Sequence, residues 1–156
     1  MQAVVLLSDL LTSARVKVPL EATTKEGLLH ELVDVLAEDR CVSDPEEALR
    51  VVLEREGVLS TGIGDGVAIP HGKTEACRGL AVAAGVTARP VDFDALDGEP
   101  VRVVFLLVGP ETAAGEHIKA LSRIARLVRQ PELRLRLVES RDAQEFLDRL
   151  REAEAA

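Results

Sequence analysis

At 156 residues, 47% of them apolar, the chain has the length and apolar fraction of one domain, 1–156, with one core. A formal charge of −8 with three Phe and no Trp or Tyr argues against nucleic acid, because phosphate backbones reward basic patches and bases reward aromatic platforms. No run approaches the roughly 18 to 20 apolar residues of a membrane-spanning helix, and Met1-Gln2-Ala3 lacks a basic secretory start, so a soluble, cytoplasmic protein without stable membrane insertion is expected.

In chain order, Arg15 to Leu20 reads as an exposed strand. Thr24-Lys25-Glu26-Gly27 leads into Leu28, Leu29, Leu32, Val33 and Leu36, an apolar stripe at helical spacing that ends near Arg40. Ser43-Asp44-Pro45-Glu46 supplies a capping hydroxyl, a first-turn proline and an early acid for a second helix to about Glu56. Ser60 to Gly66 carries three alternating glycines and reads as a shaped loop rather than a packed strand.

Leu80 to Thr87 and Val101 to Val108 are nearly continuous in apolar residues, as strands covered on both faces are. From Gly115, the spacing of Ile118, Leu121, Ile124, Leu127 and Val128 predicts an amphipathic helix, and Pro131 to Glu139 and Asp142 to Glu154 predict two more, with Glu152 to Ala156 frayed. Strands interspersed with helices on both flanks make the chain α/β. Cys41 and Cys77 fit no zinc-ligand spacing or disulfide framework and are expected as buried reduced thiols.

Chemistry concentrates in Gly62-Ile63-Gly64-Asp65-Gly66-Val67-Ala68-Ile69-Pro70-His71-Gly72, where a short apolar strand delivers a histidine between proline and glycine. Proline fixes the approach and glycine removes bulk beside the ring, so His71 suits a nucleophile that meets a large partner. The plain alternative is a turn histidine satisfied by backbone. His30, among Leu29, Leu32 and Val33, has no partner at ligand spacing and is given no role.

The string Ser60 to Lys73 resembles the phosphorylation-site signature of the fructose/mannitol/nitrogen-regulatory (type-2) enzyme IIA domains of the bacterial sugar phosphotransferase system. Val91 to Val101 and Glu116-His117-Ile118-Lys119-Ala120-Leu121 resemble two further blocks of that family, so the likeness covers the whole domain. It implies a single-domain sandwich with a central mixed β-sheet flanked by helices on both faces, of the phosphotransferase/anion transport protein-like kind. It implies that His71 is the phosphoryl acceptor, as tele-phosphohistidine. Phosphate would come from the histidine phosphocarrier protein and pass to an enzyme IIB, or stay as a signal to regulatory target proteins. The second active-site histidine falls on His117, the arginine on Arg55 and the acid on Asp65; no cofactor, nucleotide or metal is implied. A weak homodimer is a further association left open.

Phosphoryl transfer asks for in-line positioning and compensation of charge on the phosphoryl oxygens. Arg55 suits the clamp, and His117 near a helix start could face the anion together with the helix end. Asp65 is expected to accept the non-reacting N–H of His71, and Ser60 and Thr61 to donate to phosphoryl oxygens or to stabilise the turn. Ile63, Val67 and Ile69 are expected around His71 as the apolar rim of a docking face at or below about 1,200 Å².

The glycine run fits neither GxGxxG nor a Walker pattern, and His71, His117 and Asp65 lack the pairing of a metal-dependent hydrolase. A docking module without phosphotransfer, binding transporters or kinases, is the remaining alternative. The joint presence of His71, Arg55 and His117 argues against it. With no IIB or IIC segment attached in these 156 residues, a regulatory role is expected ahead of a sugar-specific one.

Overall fold

The computed structural model describes residues 6–155. Its helices are α1 (Leu7–Leu10), α2 (Lys25–Glu38), α3 (Pro45–Val58), α4 (Ala114–Leu127), α5 (Pro131–Val138) and α6 (Ala143–Ala155). The strands are β1 (Val16–Leu20), β2 (Gly62–Gly64), β3 (Val67–Ala68), β4 (His71–Lys73), β5 (Ala81–Val91) and β6 (Val101–Gly109). The sheet runs β1-β5-β6-β3-β2, with β4 also paired to β6. It is mixed: β5 and β6 are antiparallel, whereas β1 lies parallel to β5, and β3 and β4 lie parallel to β6.

Strand β6 shows why both faces are covered. Val103, Phe105 and Leu107 join Ile124 of α4, Leu133 of α5 and Phe146 of α6 in one apolar layer. The intervening Val104, Leu106 and Val108 join Leu28 and Leu32 of α2 and Val52 of α3 in another. Alternate residues of a strand point to opposite faces, so an unbroken apolar run is what a doubly covered strand requires. The single expected core is thus two layers, one on each side of the sheet.

Helix starts follow their caps. Thr24 Oγ1 accepts from the Gly27 amide at 3.1 Å ahead of α2, and Asp44 Oδ1 accepts from the Glu47 amide at 3.2 Å ahead of α3. Ser43 is not that cap: its hydroxyl donates to the Ala76 carbonyl at 3.0 Å. The expected fraying of the C-terminus is also corrected as far as Ala155. The Glu154 carboxylate, buried at the end of α6, accepts from the amides of Leu7 and Ser8, each at 2.8 Å, and fixes α1 against the last helix. Ala156 lies outside the described residues. Cys41 and Cys77 are free thiols, and burial pushes that of Cys77 up to about 11.

Candidate functional site

Ser60 to Gly66, expected as a loop, instead leads into a hairpin in which β2 pairs antiparallel with β3. The turn needs left-handed backbone at three successive positions, φ +101° at Gly64, +57° at Asp65 and +78° at Gly66. Two glycines there avoid a clash that side chains would suffer. The hairpin lays Val67 against Val103 and Ala68 against Val104; after Ile69 and Pro70, the same edge of β6 takes His71 against Leu107 and Gly72 against Val108. Proline has no amide to give, and its carbonyl accepts from the Leu107 amide at 3.0 Å.

Val67 and Ile69 lie in the layer beneath α4, and His71 shares their face. Gly72 turns to the opposite side, where an added Cβ would stand 2.8 Å from Val51 Cγ1 and 3.3 Å from the Val52 amide nitrogen of α3. That glycine therefore admits α3 to the sheet rather than clearing space beside the ring. His71 is half-buried, and its Nδ1 lies 2.9 Å from the Ile69 carbonyl. A carbonyl only accepts, so Nδ1 carries the proton in the neutral ring and Nε2 keeps the lone pair.

His117 stands one turn into α4, only 5% exposed. Its ring meets that of His71 edge to face, centroids 5.5 Å apart. Burial, followed by the charges of His71 and Lys73, pushes its pKa down to about 4, so at neutral pH it is an uncharged imidazole with one N–H to give. Lys73 follows on β4 with its ammonium 3.3 Å from Glu111. Beside it opens a cleft of about 460 Å³ lined by Asp44, Glu47, Arg50, Glu75 and Glu111.

Arg55 is half-buried in the last turn of α3, where Nη1 donates to the Leu59 carbonyl at 3.0 Å. Among the described residues no carboxylate pairs with it, and it makes no hydrogen bond to either histidine of the pair. Asp65 does not orient the ring as expected, because Ile69 holds Nδ1. The Asp65 amide instead donates to Asp97 Oδ2 at 3.0 Å, and its exposed carboxylate lies 3.9 Å from Arg134.

Ser60 donates to the Phe93 carbonyl at 2.8 Å and accepts from the Gly62 amide. The Thr61 hydroxyl donates to the Glu56 carboxylate, which also accepts from the Thr61 amide at 3.1 Å. Both hydroxyls thus shape the loop. Of the expected apolar rim, Val67 and Ile69 are buried in the core, while Ile63 is 45% exposed. His30 is exposed beside Asp34.

Sequence reasoning missed Glu56, buried with Lys25 Nζ 2.8 Å from its carboxylate. A signal existed: an acid in the last turn of a helix opposes the macrodipole and calls for a partner. Among the described residues, no three His, Cys, Asp or Glu side chains converge as metal ligands. No helix there is long and apolar enough to cross a membrane.

A family model described as phosphoenolpyruvate-dependent sugar phosphotransferase system, EIIA 2, matches residues 9–153. A nitrogen regulatory protein of Bradyrhizobium diazoefficiens is 40% identical over 139 residues, 88% of this chain and 90% of that protein. A fructose-specific EIIABC component of Bacillus subtilis is 36% identical over 142 residues, 91% of this chain; the match spans only 22% of that longer protein. Among solved structures, the nitrogen regulatory protein IIA-Ntr of Neisseria meningitidis superposes with a TM-score of 0.85 at 33% identity, covering 92% of this chain and 98% of that one.

Proposed function

Because the chain belongs to the EIIA 2 family of the phosphoenolpyruvate-dependent sugar phosphotransferase system, we propose that residues 1–156 form one cytoplasmic phosphoryl-carrier domain that accepts phosphate on Nε2 of His71. The observation that carries the reading is the 2.9 Å bond from Nδ1 to the Ile69 carbonyl. It reserves the other nitrogen for attack and selects the tele position.

The donor is the phosphorylated histidine phosphocarrier protein. The Nε2–P bond to His71 forms as the N–P bond to the donor ring breaks, and that ring keeps the electron pair. No proton need leave Nδ1. His117, neutral and edge-on to His71, supplies an N–H for the phosphoryl oxygens. Arg55, which no carboxylate pairs among the described residues, supplies charge on the donor's approach. Onward, phosphate goes to an enzyme IIB or remains on His71 as a signal; identity of 40% along nine-tenths of a nitrogen regulatory protein supports the signalling role.

The test is intact mass after incubation with phosphoenolpyruvate, enzyme I and the histidine phosphocarrier protein. Wild type should gain one acid-labile phosphoryl group and His71→Ala none. A labelled His71→Ala would move the acceptor elsewhere, and an unlabelled wild type would leave the docking-module reading.

A further inference from the structure

An ion pair beneath the hairpin, buried at its Glu56 end, has no part in the transfer as described. Glu56 sits in the last turn of α3 with its carboxylate against Lys25 of α2 at 2.8 Å. Two features set it apart. An acid at a helix C-terminus meets the negative end of the macrodipole, and the desolvation of its buried carboxylate offsets what the pairing with half-buried Lys25 returns. Neither propensity nor core stability accounts for it, and a local rule broken in this way marks a functional constraint.

What the carboxylate holds is directional. It accepts from both the amide and the hydroxyl of Thr61. The Thr61 carbonyl accepts from the Ile69 amide at 3.0 Å, and the Ile69 carbonyl accepts from His71 Nδ1 at 2.9 Å. Lys25 Nζ also lies 4.8 Å from the centre of the Phe93 ring, and the Phe93 carbonyl receives the Ser60 hydroxyl. The ion pair thus holds Thr61 directly and reaches Ser60 only through Phe93, and each residue in the series carries the acceptor of the next bond.

We propose that Glu56 is a positioning residue for His71: through Thr61 and Ile69 it aims the carbonyl that keeps the proton on Nδ1 and leaves Nε2 free. The kinetic half of this inference rests on the phosphoryl-carrier reading; the tautomer half does not.

The test joins ¹⁵N NMR of the His71 ring with the rate of phosphoryl acceptance, for wild type, Glu56→Gln, Thr61→Val and Thr61→Ser. Wild type should hold the Nδ1–H tautomer. Glu56→Gln and Thr61→Val should shift the ring nitrogens towards a mixture of tautomers and slow acceptance roughly 10- to 100-fold, the scale of a small misplacement of reacting atoms. Thr61→Ser, which restores the hydroxyl, should recover both.

If Glu56→Gln does not fold, Thr61→Val decides, since it deletes one hydroxyl at constant shape. Wild-type ring shifts in the folded variants, or a changed tautomer with an unchanged rate, would overturn the proposal. Changed ring shifts in a protein whose wild type accepts no phosphate would uphold the positioning and sink the carrier reading instead.

Discussion

His71 and His117 meet with ring planes at 72°, one ring delivered by a strand of the sheet and the other by the helix laid across it. The pairing is asymmetric. His71 is half-buried with one nitrogen bound to backbone, whereas His117 is buried on α4. The difference leaves one ring partly open to solvent and the other enclosed and neutral.

That neutrality has a pH signature. The folded state holds His117 near 4, while an unfolded histidine titrates near 6.5. Its folded-state value is depressed, so the contribution is fully present above pH 6.5 and is lost as pH falls, because the unfolded chain takes up a proton the folded one refuses. Between pH 6.5 and 4 the loss amounts to roughly 3 kcal/mol. Urea unfolding of wild type and His117→Gln at pH 7 and pH 4 should therefore differ in slope, with wild type losing more. Equal losses would mean that His117 is solvated and charged in the native state.

Gly72 carries a steric prediction. Alanine there would press its Cβ on Val51 and on the Val52 backbone of α3, and an overpacked contact between strand and helix costs about 1–3 kcal/mol. Gly79 is the control, since nothing lies within 4 Å of an added Cβ. Chemical denaturation of Gly72→Ala should show that loss and Gly79→Ala should not. Since Gly72 adjoins His71, Gly72→Ala should also shift the His71 ring resonances.

These contacts mark where the sequence stops being legible. The apolar run from Val101 to Val108 announced a strand covered on both faces, because covering each face needs one residue in two. The stripe Leu28, Leu29, Leu32, Val33 and Leu36 announced α2 for the corresponding helical reason. The string around His71 marked the candidate site. It could not reveal that Gly72 answers to α3, that Ile69 rather than Asp65 holds the ring, or that Glu56 is buried. Each depends on a crossing between elements distant in the chain. Glycine and aspartate in a turn also serve several local purposes equally well, so residue type alone does not choose among them.

Arg55 separates charge from geometry. One arm of its guanidinium closes the end of α3 on the Leu59 carbonyl at 3.0 Å, and among the described residues no carboxylate competes for the rest. Lysine would keep the positive charge but replace a planar fork of five donors with a point charge on a flexible stem. A fork can grip two phosphoryl oxygens at once, whereas an ammonium gains one contact and loses more rotamer freedom in making it. Arg55→Lys should therefore accept phosphate about tenfold more slowly or worse, with the field at the site largely intact. Loss of the Leu59 contact alone should lower stability by no more than about 1 kcal/mol, so stopped transfer and unfolding midpoint together sort the two roles. A slow but stable Arg55→Lys assigns the guanidinium to the phosphoryl oxygens. A wild-type rate with a lowered midpoint would confine Arg55 to ending α3, and the charge compensation would have to come from Lys73, which already bears on the His117 ring.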